Sequence, residues 1–149
     1  INMLDGGAPY YTTYKTFDNR NISVGAIEEK FYLEFIAKLG LEKETLPDRE
    51  DKSNWKKLKS IFQEKIALKT MREWEKIYKG SDACVAPVLN FKEAFEDPHN
   101  RHRKIFPKVF GIIQPKPAPD LSRTPAPDIS SSHKHKMKID EVNKFWESE

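Results

Sequence analysis

A loop of glycine, proline and tyrosine near the start, Asn2-Met-Leu-Asp-Gly-Gly-Ala-Pro-Tyr-Tyr11, constrains this chain more than any other stretch. Gly6 and Gly7 permit positive φ, and Pro9 fixes the exit from the loop. Residues 10–16 are rich in Tyr and Thr, which favour a strand. Residues 17–20, Phe-Asp-Asn-Arg, read as a turn, since Asp and Asn tolerate left-handed backbone. Residues 21–24 return as a second strand, and the pattern predicts a β-hairpin. Gly25-Ala-Ile-Glu28 then leads into a helix with one carboxylate at its mouth.

Helical periodicity carries the middle of the chain. Phe31, Tyr32, Phe35, Ile36 and Leu39 recur at helical spacing, and Gly40 stands where a terminating glycine belongs. After a polar connector over residues 42–49, a second amphipathic helix is expected over residues 51–68, with Trp55, Leu58, Ile61, Phe62 and Ile66 on one face. Thr70-Met-Arg-Glu73 has the form of a capping box and opens a third helix, closed by Gly80. Asn90 is an N-cap candidate for a helix that stops before Pro98, and residues 108–113 read as a further strand. From Pro115 prolines and then serines dominate, which predicts an extended tail, with one weak helix over residues 139–146. The expected fold is therefore α+β: a small antiparallel sheet with three or more amphipathic helices, then an extended Pro-rich tail. Residues 1–9 form a leading linker, residues 10–113 the folded domain, and residues 114–149 the linker and tail.

Composition excludes several classes. The chain has 149 residues, 38% hydrophobic and 33% charged, enough for one modest core. No apolar run nears the roughly 20 residues of a membrane-spanning helix, and no partner membrane is expected. The net charge is only +3, with lysines interleaved among glutamates, so nucleic-acid binding is not expected either. Cys84 is the single cysteine; it forbids an intrachain disulfide, points to a reducing intracellular compartment, and reads as a core thiol in a short buried strand. The four histidines, His99, His102, His133 and His135, lack a third ligand and a rigid frame, so no metal site is expected. The C-terminal Trp146-Glu-Ser-Glu149 is not a Ser-Lys-Leu-type peroxisomal address.

Glu28 is the strongest candidate for chemistry. At a helix start it lies near free backbone N–H groups and the positive end of the helix dipole, which favour its ionised form. On residues alone its simplest role is to cap the helix, with Glu29 as ordinary surface. Asp5 is the second carboxylate, and before Gly-Gly its simplest role is to cap a turn.

These residues resemble those of the α-methylacyl-CoA racemases, in the class III CoA-transferase superfamily. The resemblance is dense over residues 2–41. It returns in Gly80-Ser-Asp-Ala-Cys-Val-Ala-Pro-Val-Leu89, and again in Pro117-Ala-Pro119 and Ser122-Arg-Thr-Pro-Ala126. The chain has Glu29-Lys30 where the family commonly has Pro-Gln, and it departs from the family after Pro127. The resemblance implies that the chain is a C-terminal piece containing the small domain. It also implies interconversion of (R)- and (S)-2-methylacyl-CoA thioesters by α-proton removal and return, with Glu28 as the supporting acid–base partner. By the same resemblance Asp5, Gly6, Gly7, Ala8 and Tyr10 line the cleft where the substrate binds.

No metal or nucleotide cofactor is implied, coenzyme A being part of the substrate. The implied partners are the acyl-CoA, an N-terminal large domain that carries the catalytic histidine and aspartate, and a second subunit in a homodimer. The compartment is then mitochondrial or peroxisomal in a eukaryote and cytoplasmic otherwise. Taken alone, the chain is expected to be inactive. Two alternatives stay open: the small domain of a class III CoA-transferase, and a non-enzymatic interaction module.

Overall fold

The computed structural model describes residues 2–109 and 111–126. They fall into two compact units, one through Leu89 and the other from Asn90 onward.

The first unit is built on the expected hairpin. Strand β1 (Tyr11–Lys15) pairs antiparallel with β2 (Asn21–Gly25), and β2 pairs antiparallel with β3 (Val85–Pro87), giving the order β1-β2-β3. Register places Tyr14 opposite Ile22 and Val24 opposite Val85, which turns Tyr14, Ile22 and Val24 into the core. The opposite face carries Tyr11, Thr13, Ser23 and Gly25 and is only partly covered. At the turn, Asn19 adopts φ 59° and Thr16 N–H donates to the Arg20 carbonyl at 2.9 Å. Asp18 ties this turn to the next layer: its Oδ1 accepts from Thr16 Oγ1 at 2.6 Å and from Met71 N–H at 3.1 Å. Along the free edge of β1, Gln63 pairs with the Lys15 backbone, accepting at 3.1 Å and donating at 2.7 Å.

Three helices cover the inner face. Helix α1 (Glu29–Lys38) buries Tyr32, Phe35 and Ile36. It ends as Gly40 turns to φ 72°, with Leu41 N–H on the Ile36 carbonyl and Gly40 N–H on that of Ala37, the Schellman pattern. Helix α2 (Trp55–Ile66) is shorter than its periodicity implied, because Lys52–Asn54 form a tighter 3-10 turn capped by Asp51. It buries Trp55, Leu58, Phe62 and Ile66. Helix α3 (Met71–Tyr78) opens on the expected capping box, in which Thr70 N–H donates to Glu73 at 2.8 Å. Aromatic edges hold the layers together: the Phe35 and Phe62 rings meet edge-on at 5.2 Å. Two polar tips are satisfied inside, Trp74 Nε1 on the Ile66 carbonyl at 2.8 Å and Tyr78 OH on that of Phe35 at 3.0 Å.

The second unit holds α4 (Phe91–Glu96), capped by Asn90, and α5 (Pro98–His102), capped by Asp97. The Phe95 and Phe106 rings pack edge-on at 4.8 Å. Residues 108–113, expected as one strand, instead fold back as β4 (Lys108–Val109) against β5 (Ile112–Ile113), with Gly111 at φ 86° in the reversal. The Pro-rich stretch has no regular element up to Ala126. Its remainder lies outside the described residues, with His133, His135 and the helix expected over residues 139–146.

The α+β expectation holds, with a three-stranded antiparallel sheet and amphipathic helices. The expected burial of Cys84 does not. Cys84 takes φ 52°, which breaks the extended run just before β3; the thiol is exposed, while Ala83 beside it is fully buried.

Candidate functional site

Local chemistry builds the glycine loop. Met3–Gly7 wind into one wide turn, and the Asp5 carboxylate closes it. It accepts from Asn2 N–H at 3.2 Å, from the Asn2 amide at 3.1 Å and from Gly7 N–H at 3.0 Å. Partial desolvation pushes the Asp5 carboxyl up, but the hydrogen bonds from Asn2 and Gly7 outweigh it and hold it below its usual range. Gly6 stands at φ 84°, so a side chain there would be strained. Its carbonyl accepts from the Lys59 ammonium of α2.

The remaining loop residues point inward. Ala8 is fully buried and Tyr10 is 4% exposed. The Tyr10 ring meets Tyr32 at 6.1 Å and Trp55 at 6.2 Å, both edge-on. The Arg49 guanidinium covers Tyr10 and Tyr32 at 4.8 and 4.6 Å. Tyr14 OH donates to the Pro9 carbonyl, fastening the loop's exit to β1.

Glu28 occupies the N-cap position of α1 with extended backbone, φ −71° and ψ 143°. Its carbonyl accepts from Phe31 and Tyr32 N–H, both at 3.0 Å, yet its side chain makes no capping bond. The capping role read from the residues is therefore not what the carboxylate does; it is exposed. Glu29 is not ordinary surface. It pairs with Lys43, and with Arg49 at 3.4 Å, and the Lys43 hydrogen bond leads in holding its carboxyl low.

An open concavity of about 560 Å³ lies on the outer sheet face. Tyr11, Thr13, Ser23 and Gly25 form its floor, with Asp5 and Gly6 on one wall and Cys84 on the other. Gly25 N–H donates to the Cys84 carbonyl at 2.9 Å, which brings the β2 end and the Cys84 turn together. Partial desolvation pushes the Cys84 thiol up first, and the negative charges of Glu28 and Asp82 add to it. Of the residues singled out in the sequence, the fold thus gathers Asp5 and Gly6 on the concavity, while Glu28 lies outside its lining, shortly after Gly25 in the chain. Gly7 is half-buried at the turn's end, and Ala8 and Tyr10 lie beneath, in the core. Among the described residues no group of three His, Cys, Asp or Glu side chains is placed to hold a metal ion.

The model of CoA-transferase family III matches residues 2–131, which includes every residue of this site. The chain belongs to CoA-transferase family III. Within the family it is 50% identical over 126 residues to the alpha-methylacyl-CoA racemase of Mus musculus, covering 84% of this chain and 33% of that protein. The Homo sapiens alpha-methylacyl-CoA racemase is 46% identical over 126 residues, with the same coverage of each. A CaiB/baiF CoA-transferase family protein of Caenorhabditis elegans is 31% identical over 117 residues, 78% of this chain and 33% of that one. The chain spans about a third of the length of the curated relatives it matches.

Sequence reasoning missed three parts of this arrangement. Arg49 lay in a stretch read as polar connector, though an arginine between Pro47 and the tryptophan at Trp55 is a candidate for aromatic stacking. Cys84 was placed in a strand. Lys59 carried no signal, being one lysine of many on a helix flank.

Proposed function

We propose that a full-length protein carrying this chain interconverts (R)- and (S)-2-methylacyl-CoA thioesters, and that Glu28 is its supporting carboxylate. The observation that carries this is the Glu28 side chain, exposed and without a capping duty, at a helix start that follows Gly25 of the glycine-loop concavity directly in the chain. The 50% identity to a protein named for that activity supports it.

Racemisation moves one proton off the α-carbon and returns it to the other face, with no net redox change. Each face needs an acid–base group, and the enolate oxygen needs hydrogen-bond donors. A carboxylate at the start of α1 can accept from the N–H of an imidazole supplied from outside this chain. That contact fixes the ring's tautomer and raises its basicity. Asp5 spends its acceptor capacity on Asn2 and Gly7, so its part is to shape the loop. Gly6 and Gly7 let backbone approach the thioester closely, and Ala8 and Tyr10 support the loop from below.

The same proposal makes the acyl-CoA the substrate, with coenzyme A as its handle and no further cofactor. It makes an N-terminal large domain and a second subunit the partners that complete the site. It places the protein in lipid metabolism, in mitochondria or peroxisomes of a eukaryote or the cytoplasm otherwise. This chain alone supplies at most one of the required groups and is expected to be inactive.

Deuterium incorporation at the α-carbon of a 2-methylacyl-CoA, catalysed by the full-length protein in heavy water, tests the proposal. The C. elegans relative's name supports a second reading, transfer of the acyl group between CoA thioesters. Transfer to a second acid without α-exchange would establish that reading, and absence of both activities would leave an interaction module.

A further inference from the structure

We propose that Lys59 is a positioning residue that holds the Asp5-Gly6-Gly7 turn at the lip of the concavity; its part in catalysis rests on the function proposed above. Two consecutive glycines make the most permissive backbone a chain can have, and ordering them carries a high entropic cost. The other hydrogen bonds of this turn are local: Asn2 and Gly7 to Asp5, Tyr11 N–H to the Ala8 carbonyl, and Tyr14 OH to the Pro9 carbonyl. They define the turn's shape but fasten it only to the hairpin. Among the described residues, the Lys59 ammonium on the Gly6 carbonyl is the hydrogen bond that joins the turn to a helix.

The anchor itself is firm. Leu58 and Phe62, on either side of Lys59 in α2, are fully buried, so the helix cannot slide. Lys59 is half-buried, with its charged tip on the turn. A charge-assisted hydrogen bond is the strongest kind available to a lone carbonyl. Gly6 directs that carbonyl toward α2 while Asp5 and Gly6 face the concavity. Release of the clamp frees the wall of the site and leaves the core untouched. The effect therefore falls on substrate binding, since a loop that must be ordered by the substrate weakens affinity.

Lys59→Met keeps the apolar stem and removes the donor, and Lys59→Arg keeps a charged donor. Both are made in the full-length protein and followed by hydrogen–deuterium exchange and by racemisation kinetics. In Lys59→Met the amides of residues 3–7 should exchange about fivefold to tenfold faster. Peptides from α2 and α3 should stay unchanged and the melting temperature should hold within about 2 °C. KM for 2-methylacyl-CoA should rise about threefold or more, with kcat changed less, and Lys59→Arg should restore most of both. Unaltered exchange over residues 3–7 overturns the clamp. Faster exchange throughout the unit also overturns it, since Lys59 would then support the fold at large. Faster loop exchange with an unaltered KM overturns the positioning role. If the parent protein racemises nothing, the functional proposal falls, and the exchange measurement alone decides whether Lys59 holds the turn.

Discussion

The Arg49 guanidinium lies 4.6 Å from the centre of the Tyr32 ring and reaches Glu29, the first residue of α1, at 3.4 Å. It also covers Tyr10, and its side chain is only 13% exposed. One cation thus joins the loop's buried support to the start of the helix that presents Glu28. Lysine cannot replace it, because a compact ammonium neither stacks on two rings nor forks toward a carboxylate. Arg49→Lys should lower unfolding stability by about 1–2 kcal/mol, read from urea denaturation midpoints. Lys43→Met, which removes only the exposed partner of Glu29, should cost no more than about 0.5 kcal/mol. Equal losses for the two variants would show that the ring stacking contributes nothing.

Glu28→Gln should leave the melting temperature unchanged, because the side chain makes no capping bond that the amide would have to replace. In the full-length protein it should slow α-deuterium exchange by ~10–100-fold, the usual cost of losing an orienting partner. Glu29→Gln is not a neutral control, since it weakens two ion pairs at the start of α1. Glu42→Gln, at an exposed position on the connector, serves better. A Glu28→Gln enzyme as fast as its parent would remove Glu28 from the mechanism.

Cys84 is exposed but should alkylate slowly at neutral pH. Partial desolvation, then the Glu28 and Asp82 carboxylates, push its thiol up, and the thiolate is the reactive form. Removing the Glu28 charge should lower the pH at which the thiolate appears, so Glu28→Gln should label faster with iodoacetamide. Labelling rates measured across pH 7–9 give the comparison; identical profiles would mean that Glu28 and Cys84 do not sense each other.

Asp18 should make the hairpin acid-sensitive. The Thr16 hydroxyl first, then the Met71 N–H, hold its carboxyl below the ordinary value of 3.8. A carboxyl depressed on folding adds stability above its unfolded pKa, and that stability fades as pH falls through the folded one. Asp18→Asn should accordingly be less stable than the parent at pH 6, with the gap closing below pH ~4. Chemical denaturation at both pH values checks this, and a gap that persisted in acid would assign the loss to geometry instead of charge.

Much of the fold was legible because its signals are local. Gly40 ends α1, Thr70 with Glu73 opens α3, and Asn90 caps α4, each within a few residues of the feature it controls. The hairpin followed from turn chemistry between two short runs. What could not be read depends on distant partners or on one dihedral. Lys59 meets Gly6 across 53 positions, and Arg49 finds Tyr10 only after the chain has folded. Cys84 turns outward at a single positive φ, which nothing in Ala83-Cys84-Val85 announces. Glu28 stood out at its helix start, with its acid–base role implied by resemblance, and Asp5 by its glycines; the concavity draws on Asp5, Ser23 and Cys84, which are far apart in the chain.

Gln63 paired with the Lys15 backbone has a consequence for how copies of this chain meet in solution. The outer edge of β1 is a row of N–H and C=O groups able to recruit a strand from another molecule. By filling both positions at Lys15, the Gln63 carboxamide imitates one rung of a neighbouring strand and occupies the end of that row. A single glutamine, carried on a helix and contributing no ring, charge or catalytic atom, thereby closes one rung of that edge to a foreign strand.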